Sequence, residues 1–231
     1  MSKYIKYEKN LIGKDYVVGD IHGSFSALEK LLLKIGFDKK KDRLFSVGDL
    51  VDRGNESYKS LEYLSYPWFY AISGNHEQII IKVGLKKYED AYPLKRKNRD
   101  GNHWFFELTN NKRLEYIEAF NKLPIVIQIG DIGLVHAFPM HSWQSTVQMA
   151  KKSNLKAIDS ITRNRREAIK VSQGKSLKPI KGIKTIVVGH TIFKQVTYSG
   201  NVVFLDTGYY EDDGSLSVLD LDTMMVFSEH K

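Results

Sequence analysis

The sequence holds no cysteine. Disulfides and thiolate-bound metals are thereby excluded, and a reducing compartment is compatible with the chain. No apolar run approaches the ~20 residues of a membrane-spanning helix. The first nine residues, from Met1 to Lys9, are charged and lack the apolar core of a secretory leader. The expectation is a soluble, cytoplasmic protein without a membrane partner. Internal repeats, low-complexity segments and linker-like stretches are also missing, so residues 1–231 are read as a single domain. A chain of this length buries roughly 70% of its unfolded surface and needs no staples. Acidic residues are the minority: 27 Asp and Glu against 35 Lys and Arg, a formal charge of +8. Such a surface favours anionic partners such as phosphoproteins, nucleotides or RNA, unless it is only a solvated, lysine-rich exterior.

What is present concentrates in one stretch, Val17 to Glu77. It carries Gly19-Asp20-Ile21-His22-Gly23, Gly48-Asp49-Leu50-Val51-Asp52-Arg53-Gly54 and Gly74-Asn75-His76-Glu77. Each follows a run of β-formers: Tyr16 to Val18, Leu44 to Val47, and Trp68 to Ile72. Each precedes an apolar pattern at helical spacing: Phe25, Leu28, Leu32 and Ile35 with Ser24 as N-cap and Gly36 as the stop; then Tyr58, Leu61 and Leu64; then Ile79, Ile80 and Val83. Three strand–loop–helix units imply parallel strands and an α/β fold. A strand ending in Asp, His or Asn at a glycine turn presents those side chains at the carboxyl edge of its sheet, where α/β proteins place ligands. Asp20, His22, Asp49, Asp52, Asn75 and His76 would meet there. Their oxygens and nitrogens suit Mn, Fe or Zn rather than a soft metal.

Residues 85 to about 111 read as a long polar loop. Leu114, Ile117 and Phe120 mark a helix, and Ile125 to Ile129 with Leu134 to His136 mark a hairpin. Residues 142–173 are polar, helical in tendency and rich in Lys and Arg, suggesting a lid or insertion beside the site. Thr185 to Val188 is a strand running into Gly189-His190. Val202 to Leu205, Ser215 to Leu221 and Met224 to Phe227 read as antiparallel strands.

These signatures, with His136 and Gly189-His190 downstream, resemble the calcineurin-like metallophosphoesterases. Among them the sequence is most similar to the bacterial and phage serine/threonine protein phosphatases of the lambda-phosphatase type (the PPP family). The resemblance spans nearly the whole chain, including Trp104-Phe105-Phe106 and Asp206-Thr207-Gly208. It implies one metallophosphoesterase catalytic domain over 1–231, a β-sandwich of two mixed sheets flanked by helices, with two divalent metal ions at one sheet edge. Asp20 and His22 would bind one ion, Asn75, His136 and His190 the other, and Asp49 both. Manganese is expected first, with Fe or Zn as alternatives. A hydroxide bridging the ions would attack the phosphorus of phosphoserine or phosphothreonine, and of phosphotyrosine as well, in a protein or peptide. His76 would be the general acid and Asp52 its orienting partner. Arg53 and Arg165 would hold phosphate, with Arg163 and Arg166 as close competitors for the second place. After His136 comes Ala137-Phe138-Pro139, where other branches resemble His-Ala-Gly or His-Gly-Gly. This favours the bacterial or phage branch and suggests that Phe138 narrows the approach to the metals. Tyr209 and Tyr210 either wall the site or pack in the core. No regulatory-subunit tail is evident, so a free catalytic subunit is expected. The alternative on the same site is hydrolysis of a dinucleoside polyphosphate such as diadenosine tetraphosphate, or of an RNA 5′ end, although Glu77 after Asn75-His76 speaks for the protein phosphatases.

Overall fold

A computed structural model describes residues 2–84, 101–152 and 155–231. The strands are β1 (Tyr4–Tyr7), β2 (Asp15–Val18), β3 (Arg43–Ser46), β4 (Phe69–Ala71), β5 (Val126–Ile129), β6 (Ile132–Val135), β7 (Thr185–Val188), β8 (Thr197–Ser199), β9 (Val202–Phe204), β10 (Ser215–Asp220) and β11 (Val226–His230). The helices are α1 (Phe25–Lys34), α2 (Ser60–Ser65, preceded by a 3₁₀ turn at Ser57–Lys59), α3 (Asn75–Gly84), α4 (His103–Phe106), α5 (Asn110–Lys122), α6 (Trp143–Lys152), α7 (Leu155–Arg163) and α8 (Arg166–Ser172). One sheet has six strands in the order β1-β5-β6-β7-β9-β8, and the other has five in the order β11-β10-β2-β3-β4. Both mix parallel and antiparallel pairs.

Alternation along the strands explains why two sheets stack with helices outside them, since successive side chains face opposite ways. Val17, Phe45, Val187 and Val203 meet in the layer between the sheets. Their neighbours Tyr16, Val18, Leu44 and Val218 face α1, α2, α3 and α5 on one outer side. Val126, Val135, Ile186 and Phe204 face α6 to α8 on the other. Three apolar layers thus hold a helix–sheet–sheet–helix stack, the sandwich of two mixed sheets expected from the sequence.

Several local expectations change. Ser24 does not cap α1: its hydroxyl bonds to the His22 carbonyl at 3.4 Å, and Glu56 takes the Ser26 amide at 2.7 Å instead. The buried side of the 3₁₀ turn and α2 is Ser57, Ser60 and Tyr63, while Tyr58 is exposed. Leu114 is likewise exposed on α5, which buries Tyr116, Ile117 and Phe120. Asn75-His76-Glu77 is the first turn of α3 rather than a loop before it. The expected long loop at 85–111 lies outside the described residues up to 100; beyond that, α4 and the start of α5 are helical, with the Thr109 hydroxyl accepting from the Lys112 amide. Residues 142–173 form α6 to α8 within the described part. β9 runs parallel to β7 and antiparallel only to β8. The sequence reading did not anticipate β1 or β8.

Candidate active site

The parallel strands β2, β3 and β4 end at Gly19-Asp20, Gly48-Asp49 and Ser73-Gly74, and the parallel strands β6, β7 and β9 end at His136, Gly189-His190 and Asp206. Asp20, His22, Asp49, Asp52, Asn75, His76, His136 and His190 are all buried. Six non-glycine residues among those described have left-handed backbones, and five of them lie here: His22, Asp49, Asp52, Arg53 and His190. That conformation is costly for a side-chain-bearing residue and persists where its surroundings over-determine it. A Cβ on Gly189 would overlap Asp20 Oδ1, and one on Gly74 would overlap Asp49 Oδ1. Both glycines are therefore required by the close approach of a carboxylate.

Backbone carbonyls set the histidines. His22 Nδ1 donates to the Val51 carbonyl at 2.9 Å and His136 Nδ1 to the Val47 carbonyl at 2.8 Å. Each ring therefore turns Nε2 inward, as a metal-ligating imidazole is commonly held. His22 Nε2 stands 3.7 Å and His136 Nε2 3.2 Å from Asp49 Oδ2. Asn75 Oδ1 lies 3.1 Å from His136 Nε2. Two clusters have donor atoms within 4.8 Å of one another: His22, Asp49 and His76, and Asp49, His136 and His190. Asp49 is common to both.

Burial presses the His22 imidazole down to about 3 and that of His190 to about 2, leaving both neutral and able to donate a lone pair. Both nitrogens of His190 and Asp20 Oδ1 are buried without a hydrogen-bond partner. Asp20, Asp49, Asp52, Glu77 and Asp206 bring five carboxylates into the same buried region. Burial pushes Asp20 well above the usual carboxylate range, with Asp206 and Asp49 adding to it; it pushes Glu77 up to about 7 and Asp206 up to about 6. Burial would raise Asp49 too, but the imidazoles of His136, His76 and His22 hold it well below that range. Orphaned donors and surplus buried negative charge are what a pocket for hard-to-borderline cations requires. The residues fit metal ions.

His76 is arranged differently. Its Nδ1 lies 2.6 Å from Asp52 Oδ2, and Asp52 Oδ1 accepts from Trp104 Nε1 at 2.8 Å. Burial works against a charged imidazole here, but Asp49 and Asp52 outweigh it and lift His76 to about 9. Its free edge, Nε2, is 3.9 Å from Asp49 Oδ2. Arg53 lies over the Tyr210 ring at 5.3 Å, and Tyr210 packs edge-on against His22 at 4.8 Å, so Tyr210 walls the site. Arg165, at the corner between α7 and α8, acts electrostatically on His190 and Asp206. Arg163 instead reaches the Asn75 carbonyl and Asp159, and Arg166 faces Glu167.

A family model described as calcineurin-like phosphoesterase matches residues 16–219. The chain belongs to the calcineurin-like phosphoesterases. This calcineurin-like phosphoesterase is 30% identical over 219 residues to serine/threonine-protein phosphatase 2 of Salmonella typhimurium, covering 90% of this chain and 93% of the relative. It is 31% identical over 145 residues to the symmetrical bis(5′-nucleosyl)-tetraphosphatase of Aromatoleum aromaticum, covering 62% of this chain and 50% of that one. Among solved structures, a candidate diadenosine tetraphosphatase superposes with a TM-score of 0.71 at 22% identity, over 100% of this chain and 98% of that one. A cold-active protein-tyrosine phosphatase from Shewanella superposes at 0.62 with 18% identity, over 99% and 83%. These two likenesses speak to the fold.

In this calcineurin-like phosphoesterase Asp20, His22, Asp49, Asp52, Asn75, His76, His136 and His190 lie together, and one expectation changes. Phe138 is buried and stacked on Phe204 in the layer under α6 to α8, so it does not narrow the approach. His103, His141 and His230 are exposed. Three further residues belong to the site. Glu77 is fully buried and accepts the amides of Asp49 at 3.0 Å, Leu50 at 2.8 Å and Gly74 at 2.7 Å, tying two signature loops together. Trp104 holds Asp52 across 52 residues of sequence, and no local signal marks that contact. Asp206 follows β9 at a glycine turn, the same strand-end signal that exposed Asp20 and Asp49. No helix among the described residues is long and apolar enough to cross a membrane.

Proposed function

We propose that residues 1–231 act as one catalytic domain, a metal-dependent phosphomonoesterase that hydrolyses phosphoserine and phosphothreonine in proteins, with phosphotyrosine as a further substrate. The observation that carries this reading is the Asp52–His76 pair set beside a carboxylate, Asp49, common to both donor clusters. Asp20 and His22 would hold one cation and Asn75, His136 and His190 the other, with Asp49 shared between the two donor clusters; manganese is the expected ion, with iron or zinc as alternatives. When bound, cations there would supply neutralisation of phosphoryl charge and a lowered pKa for water. His76 gives the Nε2 proton to the departing serine or threonine oxygen, a poor leaving group without it. Asp52 accepts the hydrogen bond from Nδ1 and keeps the ring charged and oriented. Arg53, which lies over Tyr210, and Arg165, at the corner between α7 and α8, hold phosphate oxygens in forked hydrogen bonds. Curated relatives named serine/threonine-protein phosphatase over 84–90% of the chain support the substrate class. Chelated protein should bind Mn²⁺ in calorimetry and then release phosphate from para-nitrophenyl phosphate and from phosphopeptides. Absence of both binding and release would overturn the reading.

A second reading, cleavage of diadenosine tetraphosphate, rests on the relatives named tetraphosphatase, which match up to 62% of the chain. Faster turnover of that dinucleotide than of any phosphopeptide would favour it.

A further inference from the structure

A groove of about 750 Å³ opens between α8, the turn after His136 and the segment leading to β7. Its lining includes Arg166, Lys170, Lys175 and Lys178, above Phe138 and Met140. The one carboxylate in the lining, Glu167, is engaged by Lys170 at 2.7 Å and lies 3.9 Å from Arg166. Lys175 and Lys178 pair with no carboxylate among the described residues, so the groove carries uncompensated positive charge. Its far wall is pinned. The Lys175 amide bonds to the Lys170 carbonyl at 3.0 Å, the Leu177 amide to Ser199 Oγ at 2.9 Å, and the Ile180 amide to Asn201 Oδ1 at 2.8 Å. A wall held by hydrogen bonds presents its charges without first having to be ordered.

The groove also adjoins the site. Phe138 stands two residues beyond His136, and Asn164 and Arg166 of the lining flank Arg165. Consecutive Cα atoms are ~3.8 Å apart, which keeps the near wall within ~8 Å of those backbones. An extended peptide advances ~3.3 Å per residue. Side chains roughly two to five residues from a bound phosphoresidue would therefore lie along the groove. Its lining has no tryptophan or tyrosine, and its phenylalanine, Phe138, is buried, which leaves His141 as the one exposed aromatic ring in the lining on which a nucleobase could stack.

We propose that this groove is a specificity subsite that receives acidic side chains of the phosphoprotein substrate, on one side of the phosphoresidue; it rests on the reading of the chain as a protein phosphatase. Lys175 and Lys178 meet those carboxylates, and Arg166 continues the positive wall toward Arg165. Exposed charge pairs are individually weak and salt-screened. The preference therefore comes from several contacts together and weakens with ionic strength.

The test compares phosphopeptides with acidic or neutral residues two to five positions before or after the phosphoserine, in the wild type and in the double variant Lys175→Glu, Lys178→Glu. The acidic peptide on one side should show a lower KM in the wild type, and the double variant should raise it roughly tenfold at low salt with kcat and para-nitrophenyl phosphate turnover unchanged. A phosphate-free acidic peptide should bind the wild type by fluorescence anisotropy and bind the variant about tenfold more weakly. Equal KM values for acidic and neutral peptides, together with no binding of the phosphate-free peptide, would overturn the subsite while leaving the phosphatase reading intact. A variant that lost affinity for diadenosine tetraphosphate rather than for the acidic peptide would also overturn it. Should no phosphopeptide be cleaved at all, the phosphatase reading fails, and the anisotropy arm still decides the groove.

Discussion

His76 and Glu77 are adjacent, both buried, and opposite in what they do. His76 keeps one nitrogen on Asp52 and the other toward the cluster. Replacing His76→Asn should lower kcat by roughly two to four orders of magnitude while Mn²⁺ affinity stays near the wild type; an undiminished rate would remove it from the chemistry. The same residue predicts a pH effect on the metal-free chain. The folded pKa of about 9 lies above the ordinary histidine value of 6.5. The stabilisation is therefore complete below pH ~6.5 and is lost as pH rises through about 9. Thermal unfolding in chelator should show that decline between pH 6.5 and 10, and His76→Asn should flatten it. Glu77 acts through the backbone. Its carboxylate accepts three buried amides, which glutamine cannot do without opposing its own NH₂ to one of them. Glu77→Gln should cost about 1–3 kcal/mol of stability and weaken Mn²⁺ binding, because the Asp49 loop loses its anchor. Unchanged denaturant midpoints and an unchanged binding isotherm would assign Glu77 no such part.

Among the elements, the corner between α7 and α8 carries three nearby arginines that spacing alone does not rank. Arg163 is turned to Asp159 and the α3 backbone, and Arg166 is turned to Glu167, whereas Arg165 is felt at His190 and Asp206. Arg165→Ala should lower kcat/KM for para-nitrophenyl phosphate by about one to two orders of magnitude, as expected for a lost charge-assisted contact, while Arg163→Ala and Arg166→Ala stay within a few-fold. An equal fall in all three would mean general electrostatics rather than a phosphate contact. That ranking needed the fold, and so did much else at this scale. Asp20, Asp49 and His190 were legible because β-formers followed by glycine and a ligand residue place that residue at a strand end, whatever the rest of the chain does. Trp104, Glu56 as the capping partner of α1, and the short strands β1 and β8 were not. Each depends on residues distant in sequence, and strands of three or four residues leave too few positions to show alternation. The buried face of α2 misled for a related reason. Ser57 and Ser60 are buried because their hydroxyls are satisfied locally, Ser57 by the Asp52 amide at 2.8 Å and Ser60 by the Ser57 carbonyl at 2.8 Å, so polarity was no guide to exposure.

At the scale of the whole molecule, two sheets converge to place five carboxylates in one buried region whose imidazoles are partly neutral. A fold built this way carries repulsion at its centre, which bound cations would relieve. Binding to the folded form alone stabilises it by about 2.7 kcal/mol when the free ion is at a hundred times its Kd. For a chain of this size each kcal/mol moves Tm by about 2–4 °C, so each ion held at that excess should raise Tm over the chelated protein by about 5–10 °C, and the two together by about 10–20 °C. Asp206→Asn separates this cause from simple ligation. The amide keeps an oxygen for the Gly208 amide, which now bonds to Asp206 Oδ1 at 3.0 Å, yet removes a charge that works against Asp20. In chelator the Asp206→Asn chain should melt higher than the wild type, and the gain on adding Mn²⁺ should shrink. If the variant instead melted lower by the same amount with and without Mn²⁺, Asp206 would be holding its turn rather than completing an acidic pocket, and relief of central charge repulsion would not be what Mn²⁺ contributes to stability.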